Sequence, residues 1–242
     1  MQIKLKIHKS GILEFPLNYN YQLQSAVYHL LQHEKNYAEF LHDYGYGQDN
    51  AFRMFTFGTP KGQYEIVNKK IYFNEGFSWE IRSISQEFCE IIKNAVIKTG
   101  TIKLFNYLCD IEEMTITRTD INSTAITITS NTPIVAKNTA QNGKTIYYTP
   151  KDREFYTLIQ TNFQHKYTAY YGKEHLTDIA LLPIGNIRKV VTRYKNTWIT
   201  AYHGQFELHG SLSALNFLYD TGLGGKNAQG FGMFEMNEPF ME

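Results

Sequence analysis

Alternating apolar and polar residues open the chain. In Met1-Gln2-Ile3-Lys4-Leu5-Lys6-Ile7-His8 the apolar side chains recur at a period of two, which predicts a half-buried strand. The period then changes: Leu23, Ala26, Val27, Leu30 and Leu31 recur at spacings of three and four, predicting an amphipathic helix. Strands are expected over residues 52–57 and 77–81, and Ser83 with Gln86 has the spacing of a capping box. The helix behind that box carries Phe88, Ile91, Ile92, Ala95 and Val96 on one face, and residues 101–108 read as a closing strand. Strand, helix, two strands, helix, strand is the order of a ferredoxin-like or RNA-recognition domain.

The second half follows the same plan. Ile126 and Ile128 mark a strand, and Thr149 caps a helix with Pro150 at its first position and Asp152 at its third. Phe155, Leu158, Ile159 and Phe163 form that helix's buried face. Residues 189–194 and 205–209 read as strands, Ser211 starts a short helix through Leu212, Leu215 and Leu218, and residues 231–236 close the sheet. Asn142-Gly143 suits a tight turn within a polar hairpin tip over residues 138–144. The expected fold is therefore α+β, with two tandem ferredoxin-like domains over residues 1–119 and 120–242, although no residue-level repeat accompanies the duplication.

Composition narrows the function classes. The 242 residues are 43% hydrophobic and 19% charged, and no apolar run approaches the ~18 residues of a membrane helix. The N-terminal alternation lacks the apolar core of a signal peptide, and the two cysteines, Cys89 and Cys109, form no CxxC or disulfide pattern, so a reducing cytoplasm is the expected home. A net charge of +1 argues against a general nucleic-acid binder, but charge is unevenly spread. Arg188, Lys189, Arg193 and Lys195 lie within residues 187–195 without an acid among them, whereas Asp110, Glu112 and Glu113 cluster elsewhere. Aromatic residues reach 15%, a supply of faces on which unpaired bases stack, although most of the 18 tyrosines suit half-buried strand positions.

Five of the 17 glycines fall between Gly222 and Gly232, in Gly222-Leu223-Gly224-Gly225-Lys226-Asn227-Ala228-Gln229-Gly230-Phe231-Gly232. Such density implies backbone at positive φ or in close approach to another group, and a phosphate chain held by Lys226 and bare N–H groups is the expected partner. A helix C-cap followed by a tight turn accounts for one or two of these glycines, not five. Neither common phosphate loop fits: the Walker spacing meets Asp220 and Asn227, the dinucleotide fingerprint breaks at Asn227, and both run strand to helix whereas this loop follows a helix.

The run from Phe217-Leu218-Tyr219-Asp220-Thr221-Gly222 through Gly230-Phe231-Gly232-Met233-Phe234-Glu235 resembles the C-terminal glycine-rich signature of the CRISPR-associated endoribonucleases that cut precursor CRISPR RNA within its repeats. These form the sixth Cas family, within the repeat-associated mysterious protein superfamily. Phe40-Leu41-His42-Asp43-Tyr44-Gly45 is a second island of similarity. Members commonly pair two ferredoxin-like domains, so the resemblance supports the duplication.

RNA carries its own nucleophile in the 2′-hydroxyl, so cleavage needs a proton acceptor, a proton donor and charge stabilisation. Histidine, with an ordinary pKa of ~6.5, suits the proton transfers. Of eight histidines, His42 stands out: it follows the first amphipathic helix in a turn marked by glycines and aromatics. The resemblance implies that His42 acts in cleavage and that Tyr28, in the first helix, assists. A ring half-buried beside the apolar stripe would equally explain Tyr28. Some members add a lysine shortly after the histidine, where this chain has Gln48, Asp49 and Asn50. Arg53 and Lys226 are then the candidates for charge stabilisation.

His29 and His33 have i, i+4 metal-ligand spacing but lack the neighbouring Glu and a third ligand, so no metal is expected. His203 and His209 flank a strand and receive no role. The resemblance implies a metal-independent endoribonuclease without cofactor, leaving a 2′,3′-cyclic phosphate and a 5′-hydroxyl. His42 and Tyr28 would be catalytic, and Gly222, Gly224, Gly225, Lys226, Gly230, Gly232, Arg188, Lys189, Arg193 and Lys195 would bind RNA. Precursor CRISPR RNA is the implied partner, with no membrane or DNA; attachment to a CRISPR interference complex and homodimerisation stay open. The alternative is a non-catalytic RNA-binding subunit of a CRISPR ribonucleoprotein.

Overall fold

A computed structural model describes residues 1–48, 51–175 and 177–237. Strand β1 (Gln2–His8) buries Ile3, Leu5 and Ile7 and turns Lys4 and Lys6 outward, as its alternation requires. After it come β2 (Leu13–Pro16), α1 (Asn20–Leu31), α2 (Lys35–Glu39), β3 (Phe55–Phe57), β4 (Tyr64–Val67), β5 (Lys70–Phe73), β6 (Phe77–Ser83), α3 (Gln86–Thr99), β7 (Thr101–Leu104) and β8 (Tyr107–Thr117). The main sheet has the order β3-β6-β1-β8-β7, antiparallel throughout, with Leu5 opposite Trp79 on one side and Met114 on the other. Its first four strands have the ferredoxin-like order, and β7 extends the edge. Helices α1 and α3 bury Leu23, Val27, Leu31, Phe88, Ile92 and Ala95 against it.

Two local readings differ from expectation. The N-cap of α3 is Ser85, whose hydroxyl accepts from the Phe88 amide at 3.2 Å, because Ser83 is still paired in β6 and its hydroxyl donates to Met54 O at 2.7 Å. Residues 101–108 are two strands instead of one, since the chain reverses at Phe105, where φ is +55°.

The second half contains β9 (Ala125–Ser130), β10 (Lys137–Thr139), β11 (Thr145–Tyr147), α4 (Arg153–Tyr171), β12 (Ala180–Pro183), β13 (Arg188–Tyr194), β14 (Thr197–His203), β15 (Gln205–His209), α5 (Leu212–Thr221) and β16 (Phe234–Met236). The sheet β12-β15-β9-β16 is a second ferredoxin-like arrangement, with Phe155, Ile159, Phe163, Leu215 and Leu218 in its core. Helix α4 starts at Arg153, later than expected. Asp152 Oδ2 folds back to accept from the Thr149 amide at 2.7 Å, so residues 149–152 close a turn before the helix. Two hairpins, β10–β11 and β13–β14, stand outside the main sheet. Residues 231–233 belong to the glycine-rich turn, and the last strand begins only at Phe234.

That turn is the seam between the two halves. Asn20 Nδ2, at the start of α1, donates to Gln229 O at 2.8 Å and Gly230 O at 3.2 Å, and Arg82 from β6 donates to Phe234 O at 2.7 Å. Gly230 lies at φ +80° with its α-carbon against the Phe57 ring, where a β-carbon would collide. Behind the turn, the fully buried ammonium of Lys166 donates from α4 to Gly222 O at 2.5 Å and Asn227 Oδ1 at 3.1 Å. Asn227 Nδ2 in turn donates to Leu223 O and Phe231 O, both at 3.0 Å, so one amide closes the loop on itself.

Burial pushes the Lys166 ammonium down to about 7 from 10.5. Between these values the unfolded chain binds the proton that the native state releases, so native stability rises with pH over this window and levels off at either side. Urea unfolding from pH 7 to 10 should therefore show wild-type stability climbing relative to Lys166→Met, by at most about 1.4 kcal/mol per pH unit. A flat difference would mean that the native ammonium is hydrated.

Candidate active site

Helix α2 runs into a π-helical turn, Phe40–Tyr44, closed by the Gly45 amide donating to Phe40 O at 2.7 Å. π-Turns widen a helix by one residue and often occur where a side chain must be presented. Leu41 is buried and anchors the turn, while the His42 side chain beside it is 73% exposed. His42 Nδ1 lies 2.6 Å from Asp43 Oδ1. A carboxylate only accepts, so Nδ1 is the donor in this contact, and Nε2 is the ring nitrogen without a protein partner among the described residues.

Tyr28 meets His42 edge to face, with ring centroids 5.6 Å apart. Arg53 is fixed beneath them: one guanidinium nitrogen donates to His42 O at 2.6 Å and the other to Ala51 O. Burial raises the pKa of the Tyr28 phenol, outweighing the neighbouring Arg53 guanidinium, which favours the phenolate through charge and a hydrogen bond. Tyr28 is therefore a protonated donor at neutral pH.

These three side chains line one wall of a cleft of about 380 Å³ between the domains. The opposite wall comes from α4, the end of α5 and the glycine-rich turn: Asn162, Lys166, Thr221, Lys226 and Asn227. Lys226 sits at φ +64°, and its ammonium donates to Gln229 Oε1 at 3.1 Å. Burial, helped by Lys137, lowers its pKa. The structure thus brings His42, Tyr28, Arg53 and Lys226 to one cavity from segments far apart in sequence.

The glycines are placed otherwise than a phosphate-cradling backbone requires. The amides of Gly222, Gly225, Gly230 and Gly232 donate within the protein, to Leu218 O, Val135 O, Asn227 O and Pro133 O at 2.7–3.0 Å. Gly224 presses on Val135 O. The close approach that the glycines signal is to the protein's own backbone and to Phe57, and what the turn offers the cleft is Lys226.

Arg188, Lys189, Arg193 and Lys195 are exposed on the β13–β14 hairpin, outside the walls of the cleft. The hairpin tip nevertheless reaches α1. Tyr194 hydrogen-bonds Gln24, which lines the cleft, and Lys195 Nζ lies 4.7 Å from the centre of the Tyr21 ring. His29 and His33 are exposed, and among the described residues no three His, Cys, Asp or Glu side chains converge as metal ligands. Burial lowers the His203 pKa, with Arg188 adding to the effect. Gln48 is exposed, and Asp49 and Asn50 lie outside the described residues.

Sequence reasoning missed Lys166 and Asn162. The signal for Lys166 was present: it falls three residues after Phe163 and seven after Ile159, inside the apolar stripe of α4, where a lysine is out of place unless it has buried acceptors. Asp43 was seen only as part of a motif, not as the partner that orients His42.

Comparison with known proteins agrees with this arrangement. A family model described as CRISPR associated protein Cas6, C-terminal, matches residues 112–236, just over half of the chain. The CRISPR-associated endoribonuclease Cas6 of Pyrococcus furiosus is 25% identical over 238 residues, covering 94% of this chain and 86% of its own. The CRISPR-associated endoribonuclease Cas6 1 of Methanocaldococcus jannaschii is 26% identical over 241 residues, covering 96% and 91%. A solved structure described as CRISPR associated protein Cas6 superposes with a TM-score of 0.81 at 25% identity, covering 98% of this chain and 99% of its own. With its two ferredoxin-like sheets, its glycine-rich seam and a family match across the C-terminal half, this chain belongs to the Cas6 family of CRISPR-associated endoribonucleases.

Proposed function

We propose that this protein cleaves precursor CRISPR RNA within its repeats by metal-independent transesterification. The observation that carries this reading is the exposed His42 ring, held through Nδ1 by Asp43 beside Tyr28 and Arg53, in a cleft faced by Lys226. Nε2 takes the proton of the ribose 2′-hydroxyl as that oxygen attacks the adjacent phosphorus. The P–O5′ bond breaks, the leaving oxygen takes a proton from solvent water, and the products carry a 2′,3′-cyclic phosphate and a 5′-hydroxyl. Tyr28 donates a hydrogen bond to the phosphate, and Arg53 offsets the charge that builds on its oxygens.

Arg53 takes the charge-stabilising role because it lies on the His42 side of the cleft, tied to the His42 carbonyl. Lys226, presented by the turn of Gly222, Gly224, Gly225, Gly230 and Gly232, holds the RNA backbone from the other side. Arg188, Lys189, Arg193 and Lys195 extend that grip along the exposed hairpin, where phosphate contacts need no deep pocket. Precursor CRISPR RNA is thus the substrate and binding partner in this reading, which is supported by the names of the two curated relatives.

In single-turnover assays His42→Ala should slow repeat cleavage by ~10²- to 10⁴-fold while leaving RNA affinity nearly unchanged. An unaltered rate would remove His42 from the mechanism. Of repeat RNAs bearing one 2′-deoxy substitution at each position in turn, incubated in EDTA, the one substituted at the cut should resist cleavage, and all the others should be cut to leave cyclic-phosphate ends. A shifted but intact RNA in every lane would mark a binding subunit without catalytic activity.

A further inference from the structure

Asn162 and Lys166 lie four residues apart on α4 and so share a face, and that face forms the floor of the cleft opposite Tyr28 and His42. The Oδ1 atom of Asn162 is buried and has no hydrogen-bond partner among the described residues. None of its polar neighbours on the same wall bonds to it. Lys166 donates to Gly222 O and Asn227 Oδ1, Asn227 Nδ2 donates to Leu223 O and Phe231 O, and Thr221 Oγ1 donates to Phe217 O. A buried acceptor left unpaired destabilises the fold that carries it, and native proteins keep few of them. A donor group entering the cleft would pair Asn162 Oδ1.

We infer that Asn162 reads one unpaired adenine of the bound RNA, accepting from its N6 amino group through Oδ1 and donating through Nδ2 to the neighbouring ring nitrogen. A carboxamide offers one acceptor and one donor side by side, the complement of an amine next to a ring nitrogen. Adenine presents that pair on both its Watson–Crick and its Hoogsteen edge, so it meets the amide whichever edge points inward. Unpaired bases are the part of RNA that proteins read by such edges, and a cleft of about 380 Å³ is of the size that holds a small ligand. Because the cleft also holds His42, the adenine read by Asn162 lies next to the cut, so the same floor that receives the base fixes which phosphate reaches Nε2. The inference rests on the RNA-cleaving reading above and adds to it the identity of one recognised base.

The test uses the full chain and the CRISPR repeat RNA of its host, made uncleavable by a 2′-deoxy sugar at the cut, with each adenine replaced in turn by purine riboside, which lacks the N6 amine. Wild type should lose roughly ten-fold or more in affinity at one position. Asn162→Ala should bind the unmodified RNA that much more weakly and be indifferent to the replacement at that same position, while keeping wild-type losses elsewhere. The apo variant should also melt at or above the wild-type temperature, since the substitution removes an unpaired acceptor and favours the helix. A lower melting temperature would make Asn162 a structural member and overturn the inference. So would a wild type insensitive at every adenine, or a variant that keeps the full pattern of discrimination. The assay needs no chemistry, so a protein that passes it without cutting RNA sinks the catalytic reading alone, and one that cuts RNA while Asn162→Ala discriminates like wild type sinks this inference alone.

Discussion

The site depends on a buried ammonium. Lys166 Nζ has two uncharged acceptors, Gly222 O and Asn227 Oδ1, and among the described residues no carboxylate pairs with it. Taking an unpaired cation out of water is costly, and the lowered pKa follows from that cost. What the arrangement secures is the path of the glycine-rich turn. Through Asn227, one side chain ties α4 to both arms of the loop, and the loop is what the first domain grips through Asn20 and Arg82. If that side chain moved, Lys226 would lose one of the ties that fix it relative to His42.

The two walls of the cleft are built on opposite principles. On the His42 side, reactive groups stand exposed on a short π-turn, oriented by one carboxylate and one guanidinium. On the Lys226 side, nearly every polar group is already bonded within the protein, and the glycines exist so that backbone can approach backbone. Proton transfer needs an accessible, correctly oriented nitrogen, whereas holding a substrate in register needs rigidity, and the proposed function gives one task to each domain.

Much of the architecture was legible in the chain. The change from period two to period 3.6 placed β1, α1 and α3, because each buries one face against the sheet. His42 was legible for the reverse reason: glycines and aromatics around a lone imidazole mark a turn that is not core. Ser83 misled as a cap because hydroxyl spacing cannot show that a residue is still held in a strand. The glycine run was correctly read as a place of close approach, but sequence cannot say what approaches, and Val135, Leu223 and Phe57 occupy that space. Lys166 was missed because periodicity assigns lysine to solvent, and only the geometry of α4 against the turn reveals its acceptors.

The β13–β14 hairpin belongs to the second domain by sequence yet rests its tip on the first, through Tyr194 on Gln24 and Lys195 over Tyr21. Together with the seam beneath, this strap gives the halves two separated points of attachment, which removes the hinge freedom that a single linker would leave. For an RNA cut in the proposed way, two ties between the halves shift the burden of fitting from domain motion to the strand itself.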